Sequence, residues 1–319
     1  MDSHAEHPMS LLVDTMAESS STHTTAILSP RLQCSFVFHT ALALLHREAD
    51  LHPDDPPSQD PVVAVVGKSE AGFQSQLAEE NDALLFARPG RVPDARLAGL
   101  LERIQFRFVP DLPQLLVLLS DLTRPSIESE PAAHDETAGA AAGPRNGPIA
   151  GLVISDLSSY FSSSSATLSN LTRLLGFVSA TQARLASIHP LDHRRPPPVI
   201  IMDRIDPSSK WPLSSSSSSL SSSSSIETAD SGDGGHLREV LPVFRYFFRD
   251  TWSIEPLLDK DTSSNRNDTC RLFQSSSSFD KSTPSNHHHP QIVYQVVESI
   301  QQDPYTGPSL LRQTVVVHT

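Results

Sequence analysis

Three short runs that are apolar at every position constrain the fold of this chain more than any other feature. They are residues 62–66 (VVAVV), 152–154 (LVI, within GLVISDLSSYF) and 199–202 (VIIM). Such runs are typical of parallel strands buried on both faces of a sheet. Between them lie stretches with helical spacing, at residues 35–49, 111–122 and 168 to about 189. The alternation predicts an α/β fold with a mostly parallel sheet and helices on both of its faces.

Two further apolar runs near the C terminus, CRLFQ and QIVYQVV, have no helical pattern between them. We therefore expect them to form an antiparallel extension at one edge of the sheet. Asp111 comes just before a helical pattern that has Pro113 in its first turn, and it is predicted to be the N-cap of that helix.

The chain is diluted by serine-rich and proline-rich segments. Hydrophobic residues make up 38% of its 319 residues, below the share of about 45–50% in ordinary domains. Residues 1–24 are predicted to be disordered, as are insertions at about 124–148, 206–235 and 260–290, because their composition cannot bury enough apolar surface. The remaining parts of residues 25–319 are predicted to form one domain.

Charge and cysteine content exclude several classes of function. The formal net charge is −13, so any contact with DNA must come from a local basic patch or from a partner. Cys34 and Cys270 have no metal-site spacing, and His287–His289 lie in a polar insertion, so no metal site is expected. Two cysteines suit a reducing, intracellular compartment. No signal peptide and no membrane span is predicted.

Four segments in order carry a resemblance to a known family: LLERIQFRFVPDLPQLLVLLSDL, GLVISDLSSYF, PPVIIMDRI and LPVFRYFFRDTWSIEP. Together they resemble the RecA-like ATPase core of the recombinase family. More narrowly, they resemble the ATPase-like subunit that pairs with a SWIM-domain protein in Shu-type recombination mediator complexes. The second segment is similar to the family's Walker B strand. The third lies where recombinases have the strand that leads into a DNA-binding loop, but it ends in Asp203-Arg204 instead of an amide-rich motif.

The phosphate-binding loop of such ATPases is degenerate in this chain. That loop needs glycines, whose backbone N–H groups wrap the phosphates, and a Lys-Ser/Thr pair. The corresponding segment is SPRLQC, and no glycine precedes Gly67. By the resemblance, Cys34 stands at the lysine position, Ser35 at the threonine position, Glu70 at that of the water-activating glutamate and Asp156 at that of the Walker B aspartate. Ser35 as a helix cap and Asp156 as a cap of the next turn are the structural alternatives.

The resemblance implies a non-catalytic subunit that acts in the nucleus. It would bind a SWIM-domain protein, support recombinase filaments and reach single-stranded DNA through the complex, without ATP or Mg²⁺. Two alternatives stay open: an Elongator-type RecA-like accessory subunit in tRNA modification, and a weakly active ATPase. The candidate DNA-binding residues are Arg194, Arg195, Arg204, Lys210 and Trp211, since a cation beside an aromatic ring suits single strands. A solvated linker is the alternative for them.

The densest aromatic segment, VFRYFFRDTW, is a candidate partner interface. Its aromatic residues are Phe244, Tyr246, Phe247, Phe248 and Trp252. They cannot all face inward on one short element, and aromatic residues with arginine are enriched at interface hot spots. The alternative is that the segment closes the core at the edge of the sheet.

Overall fold

The computed structural model describes residues 7–18, 24–51, 60–82, 95–123, 147–188, 196–214, 237–248, 250–256, 268–274, 291–303 and 307–318. Its strands are β1 (Thr24–Leu28), β2 (Val62–Gly67), β3 (Ile104–Phe108), β4 (Ile149–Ser155), β5 (Val199–Asp203), β6 (Lys210–Pro212), β7 (Leu237–Glu239), β8 (Asp250–Pro256), β9 (Asp268–Gln274), β10 (Gln291–Asp303) and β11 (Gly307–His318). Its helices are α1 (Pro8–Glu18), α2 (Cys34–Leu51), α3 (Glu70–Glu80), α4 (Ala95–Leu101), α5 (Leu112–Asp121), α6 (Leu168–Ile188) and α7 (Leu241–Phe247), with a 3₁₀ turn at Leu157–Tyr160.

The main sheet of the described chain has the strand order β11-β10-β9-β8-β1-β5-β4-β2-β3. The strands from β8 to β3 in this order are parallel to their neighbours. The pairs β8–β9, β9–β10 and β10–β11 are antiparallel. The predicted α/β class, the mostly parallel sheet and the antiparallel C-terminal part are thus confirmed.

The parallel strands are buried on both faces because helices cover each face. Along β4, Leu152 and Ile154 belong to one apolar cluster and Val153 to the other, on the opposite face of the sheet. Helices α1 to α4 cover the face of the sheet that carries Val153. Helices α5 to α7 cover the face that carries Leu152 and Ile154. Close packing of α2 on β4 favours Gly151, since a Cβ there would lie 2.7 Å from Leu44 Cδ1 and this side chain would have to shift.

The N-terminal segment differs from its prediction. Residues 1–24 are predicted to be disordered, but α1 is a helix that covers α2, with Met9, Leu12 and Val13 buried. These three residues have the i, i+3, i+4 spacing of one helix face. The ring of His7 stacks on that of His39 at 3.5 Å between centroids, and His39 Nε2 lies 3.1 Å from Asp82 Oδ2. The rest of the predicted segment, apart from Thr24 in β1, lies outside the described residues.

The predicted insertions also contain ordered strands. Within 206–235, β6 pairs antiparallel with β7 and forms a small separate ribbon. Within 260–290, β9 joins the main sheet between β8 and β10. The apolar run CRLFQ predicted β9, although the bounds of the insertion included it. Strand β6 pairs with β7 across the rest of its insertion, which local composition does not show. Within 124–148, Pro148 accepts a hydrogen bond from Val62 N–H at 2.9 Å. The other insertion residues lie outside the described residues, except for those bordering these strands.

Candidate functional site

The carboxyl ends of β1, β5 and β4 meet at one edge of the sheet, where open α/β folds bind ligands. Strand β5 lies between β1 and β4. The loop after β1 is short, and Ser29 holds it to both neighbours of β1. Its N–H donates to Asp203 O at 3.0 Å, and its hydroxyl donates to Ile254 O at 3.3 Å. Helix α2 then starts at Cys34, directly over this edge.

Five side chains form what we call the carboxyl-edge cluster: Cys34, Gln76, Glu80, Asp156 and Arg204. The Glu80 carboxylate accepts hydrogen bonds from the Cys34 N–H at 2.5 Å and the Ser35 N–H at 2.7 Å. These are the first two backbone donors of α2, which have no partner within the helix. The Glu80 carboxylate, which comes from the last turn of α3, therefore caps α2 at the place where a phosphate-binding loop would hold its anion.

Arg204 joins the cluster from the end of β5. Its guanidinium donates to Asp156 Oδ2 at 3.1 Å and to Cys34 Sγ at 3.0 Å, and it also donates to Gln76 Oε1. The side chains of Arg204 and Asp156 are 29% and 28% exposed. The Cys34 thiol in turn donates to Gln76 Oε1 at 2.9 Å. The structural alternative for Asp156 was a cap of the following 3₁₀ turn. Its carboxylate makes no such capping bond and pairs with Arg204 instead.

Burial governs the ionisation of the two acidic groups in this cluster that show a shift. It raises the pKa of the Cys34 thiol to about 12, although the Arg204 guanidinium opposes the rise. Burial likewise raises the pKa of the Asp156 carboxyl, again against the pull of Arg204. The thiol is therefore neutral near pH 7, and a neutral thiol is a poor nucleophile.

A fully buried acid lies beside the cluster, close to Asp156. Asp203 is fully buried at the end of β5 and accepts hydrogen bonds from Ser158 N–H at 2.8 Å and Ser158 Oγ at 2.6 Å. Burial raises the pKa of Asp203 to about 6, and the nearby Asp156 charge adds to the rise, while the bonds from Ser158 oppose it. Through Ser158, Asp203 holds the 3₁₀ turn that follows Asp156. Asp156 itself has a left-handed backbone, with φ of 54°.

Glu70 is not part of the cluster. It lies exposed in the first turn of α3, and its carboxylate accepts from Gln74 Nε2 at 3.0 Å. Ser69 caps this helix through a bond from Gly72 N–H at 3.2 Å. Of the four residues assigned to a degenerate nucleotide site, the structure brings together Cys34, Ser35 and Asp156. Ser35 takes part through its backbone N–H, which donates to the capping carboxylate of Glu80. Ser35 was expected to be a helix cap, but here it is the residue that is capped.

The structure describes three of the five candidate DNA-binding residues. Arg204 belongs to the carboxyl-edge cluster, and its side chain is 29% exposed. Lys210 is exposed on β6. Trp211 is half-buried, with its ring edge-on to Phe161 at 5.7 Å. Arg194 and Arg195 lie outside the described residues, and DNA binding stays a prediction.

The candidate interface segment divides into core and surface. Phe244, Phe248 and Trp252 are fully buried in the core. Phe247 is half-buried over Gly176 of α6, whereas Tyr246 is 83% exposed. Most of the segment therefore closes the core, and Tyr246 is its one exposed aromatic side chain among the described residues.

Sequence reasoning did not find Glu80 or Gln76. Both belong to α3, and they reach Cys34 across 46 and 42 positions of sequence. Glu80 follows Glu79 at the end of an ordinary polar helix, and no motif marks it. Only a contact between α3 and the start of α2 could have revealed its role.

Within the described ranges, no group of three or more histidine, cysteine or acidic residues could hold a metal ion. No helix in those ranges is long and apolar enough to cross a membrane. The fold and cluster together define an α/β protein in which a glutamate carboxylate caps the helix at the carboxyl edge of the sheet. No protein-family model matches the chain, and no curated protein has a similar sequence.

Proposed function

We propose that this chain is a non-catalytic RecA-like subunit of a homologous-recombination mediator complex in the nucleus. In this role it binds a SWIM-domain protein and supports assembly of recombinase filaments on single-stranded DNA. The proposal combines the resemblance of four ordered segments with the chemistry of the carboxyl-edge cluster.

The capping of α2 by Glu80 is the observation that carries the non-catalytic part of this proposal. A nucleotide phosphate at the same N–H groups would meet the negative charge of the Glu80 carboxylate within about 3 Å, and like charges at that separation repel strongly. The segment between β1 and α2 also lacks the glycines that let a loop wrap phosphate. Asp156, at the position that would hold the water of a magnesium ion, is paired with Arg204 at 3.1 Å.

The recombination part is supported by the order of the segments that resemble the Shu-type subunit. Three of them correspond to β3 with α5, to β4, and to β5. The fourth covers α7 and β8, which connect the parallel sheet to its antiparallel part. A RecA-like core that has lost nucleotide chemistry still has its sheet edges and helices for protein contacts, which suits a subunit that acts by assembly.

Co-purification from native cells tests this function. The full-length chain carrying an affinity tag should co-purify with a SWIM-domain protein and a recombinase, identified by mass spectrometry. A matched culture with the tag alone is the control. Recovery of Elongator subunits in place of these two partners would contradict the proposal and favour the tRNA-modification alternative.

A further inference from the structure

Every large hydrophobic side chain that is exposed among the described residues lies on the same side of the sheet. These are Val117 on α5, Leu213 after β6, Leu237 on β7 and Tyr246 on α7. Tyr246 is 83% exposed, Leu237 57% and Leu213 47%. The layer formed by α1 to α4 has no such residue in its described part. This asymmetry indicates that the layer of α5 to α7 carries an interaction surface.

Helix α6 joins three of these side chains into one surface. The Ser169 N–H donates to Leu213 O at 3.1 Å, so the end of the ribbon sits at the start of α6. Leu237 lies opposite Pro212 in the ribbon, one residue before Leu213. Seven residues along α6, an added Cβ at Gly176 would lie 3.5 Å from the Phe247 ring. Tyr246 packs edge-on against Phe247 at 5.0 Å.

Both contacts involve α6, one at its N-terminal end and one about two turns further along. Residues seven apart lie on nearly the same face of a helix, about two turns or 10 Å from each other. Arg173 lies between Ser169 and Gly176 on this face. It is exposed and forms no salt bridge with another described residue. The surface thus has one arginine flanked by two leucines on one side and a tyrosine on the other.

The local charge is opposite to that of the whole chain. Helices α6 and α7 contain no acidic residue, and with the ribbon they carry five basic residues and one acid. These are Arg173, Arg184, Lys210, Arg238 and Arg245, with Glu239 as the acid. The chain as a whole has a net charge of −13. A basic, apolar surface on an acidic protein is complementary to an acidic partner that also has apolar anchors.

We propose that Leu213, Leu237, Arg173 and Tyr246 form a docking surface for an acidic amphipathic segment of a partner protein. Its apolar anchors pack against the leucines and the tyrosine, and its carboxylates pair with Arg173 and Arg238. A protein segment fits better than a nucleic acid. Two of the three apolar side chains are aliphatic, whereas single strands are held by stacking on aromatic rings. The inference does not depend on which complex the chain belongs to.

Binding of a defined peptide tests the proposal. The probe is a fluorescein-labelled amphipathic peptide of about five helical turns, with leucine on one face and glutamate on the others. Fluorescence anisotropy with the full chain should show saturable binding that weakens as salt is added. Arg173→Glu and Tyr246→Ala should each raise Kd about tenfold or more. Circular dichroism should be unchanged, since both side chains are exposed.

Arg31→Glu is the matched control, because it makes the same charge change at an exposed position in the loop after β1, outside this surface. It should leave Kd within about twofold. A scrambled peptide of equal composition should bind more weakly than the amphipathic one. Equal binding of both peptides, or equal effects of the two arginine variants, would overturn the proposal.

Two further outcomes would assign the surface to other occupants. A fluorescent dT oligonucleotide that binds more tightly than the peptide, and is lost with Arg173→Glu, would make it a nucleic-acid surface. Self-association of the chain in sedimentation, abolished by Tyr246→Ala, would make it an interface between two copies. Either result overturns the acidic-peptide proposal.

Discussion

At the scale of single residues, Glu80 occupies a position that is unfavourable for its own helix and favourable for another. An anion at the C terminus of a helix opposes the helix dipole, whereas an anion at an N terminus is stabilised by it. Glu80 ends α3 but accepts hydrogen bonds from the first two N–H groups of α2. The stabilisation therefore comes from the contact between the two helices, and breaking this contact leaves two backbone donors without an acceptor.

We predict that Glu80→Ala lowers the free energy of unfolding by about 2 kcal/mol, the cost of losing a charged helix cap. Urea unfolding followed by circular dichroism measures this change. Glu79→Ala is the control, because Glu79 is exposed on the same turn and only accepts a long bond of 3.5 Å from Ser75 Oγ. It should change stability by less than about 0.5 kcal/mol. Equal effects of the two variants would show that the cap is not stabilising.

Asp203 predicts a pH dependence of stability. Its pKa is about 6 in the folded chain against an ordinary value of 3.8. Between about pH 4 and 6 the folded chain keeps a proton that the unfolded chain has released. The free energy of unfolding contributed by Asp203 therefore falls as the pH rises through this range, by on the order of 3 kcal/mol.

Asp203→Asn should remove this part of the slope, because an amide of the same shape does not ionise and can still accept a bond from Ser158. Urea unfolding of both proteins at pH 4 and pH 7 isolates the effect, since Asp156 titrates in both. Identical pH profiles of the two proteins would contradict the assignment.

At the scale of elements, α1 shows how a short helix can belong to the core despite a polar neighbourhood in sequence. Leu12 is fully buried where α1 packs on α2. We predict that Leu12→Ala lowers the free energy of unfolding by about 3 kcal/mol, the typical cost of a cavity in a core. Asp14→Ala, an exposed position on the same helix, should have almost no effect. A small loss with Leu12→Ala in chemical unfolding would show that α1 is only loosely attached.

The aromatic segment around α7 contains one ring that should matter for stability, Phe248, and one exposed ring that should not, Tyr246. Phe248 is fully buried, so Phe248→Ala should lower the free energy of unfolding by about 3–5 kcal/mol. Tyr246→Ala should leave stability within about 0.5 kcal/mol, because the side chain is exposed. Thermal unfolding of the two variants compares them directly. A stable Phe248→Ala protein would contradict the core position of this ring.

The sequence predicted the elements whose pattern is local. Strands β2, β4 and β5 each contain a run of buried apolar residues, and Asp111 caps α5 as expected, through a bond from Gln114 N–H at 2.9 Å. Features that depend on distant contacts were not predicted. Strand β6 needs its partner β7 across an insertion, and Glu80 acts through a helix that precedes it by 45 or 46 residues. Arg204 was assigned to DNA, because its partner Asp156 lies on a neighbouring strand.

At the scale of the whole molecule, the sheet brings the carboxyl ends of three parallel strands together, and the side chains of the carboxyl-edge cluster occupy this edge. The segments after β1, β5 and β4 contribute Cys34, Arg204 and Asp156, and α3 contributes Gln76 and Glu80. Their hydrogen bonds and charges are directed to one another. These mutual bonds make the cluster a structural unit of the fold, and the proposed non-catalytic role rests on them.

The most direct test of this account is the rate of ATP hydrolysis by the purified full-length chain with Mg²⁺, in the presence and absence of single-stranded DNA. Because the Glu80 carboxylate holds the N–H groups that a phosphate would need, we predict no phosphate release above that of buffer. Steady turnover that disappears in an Asp156→Ala variant would contradict the account, since a contaminating ATPase would be unaffected by that substitution.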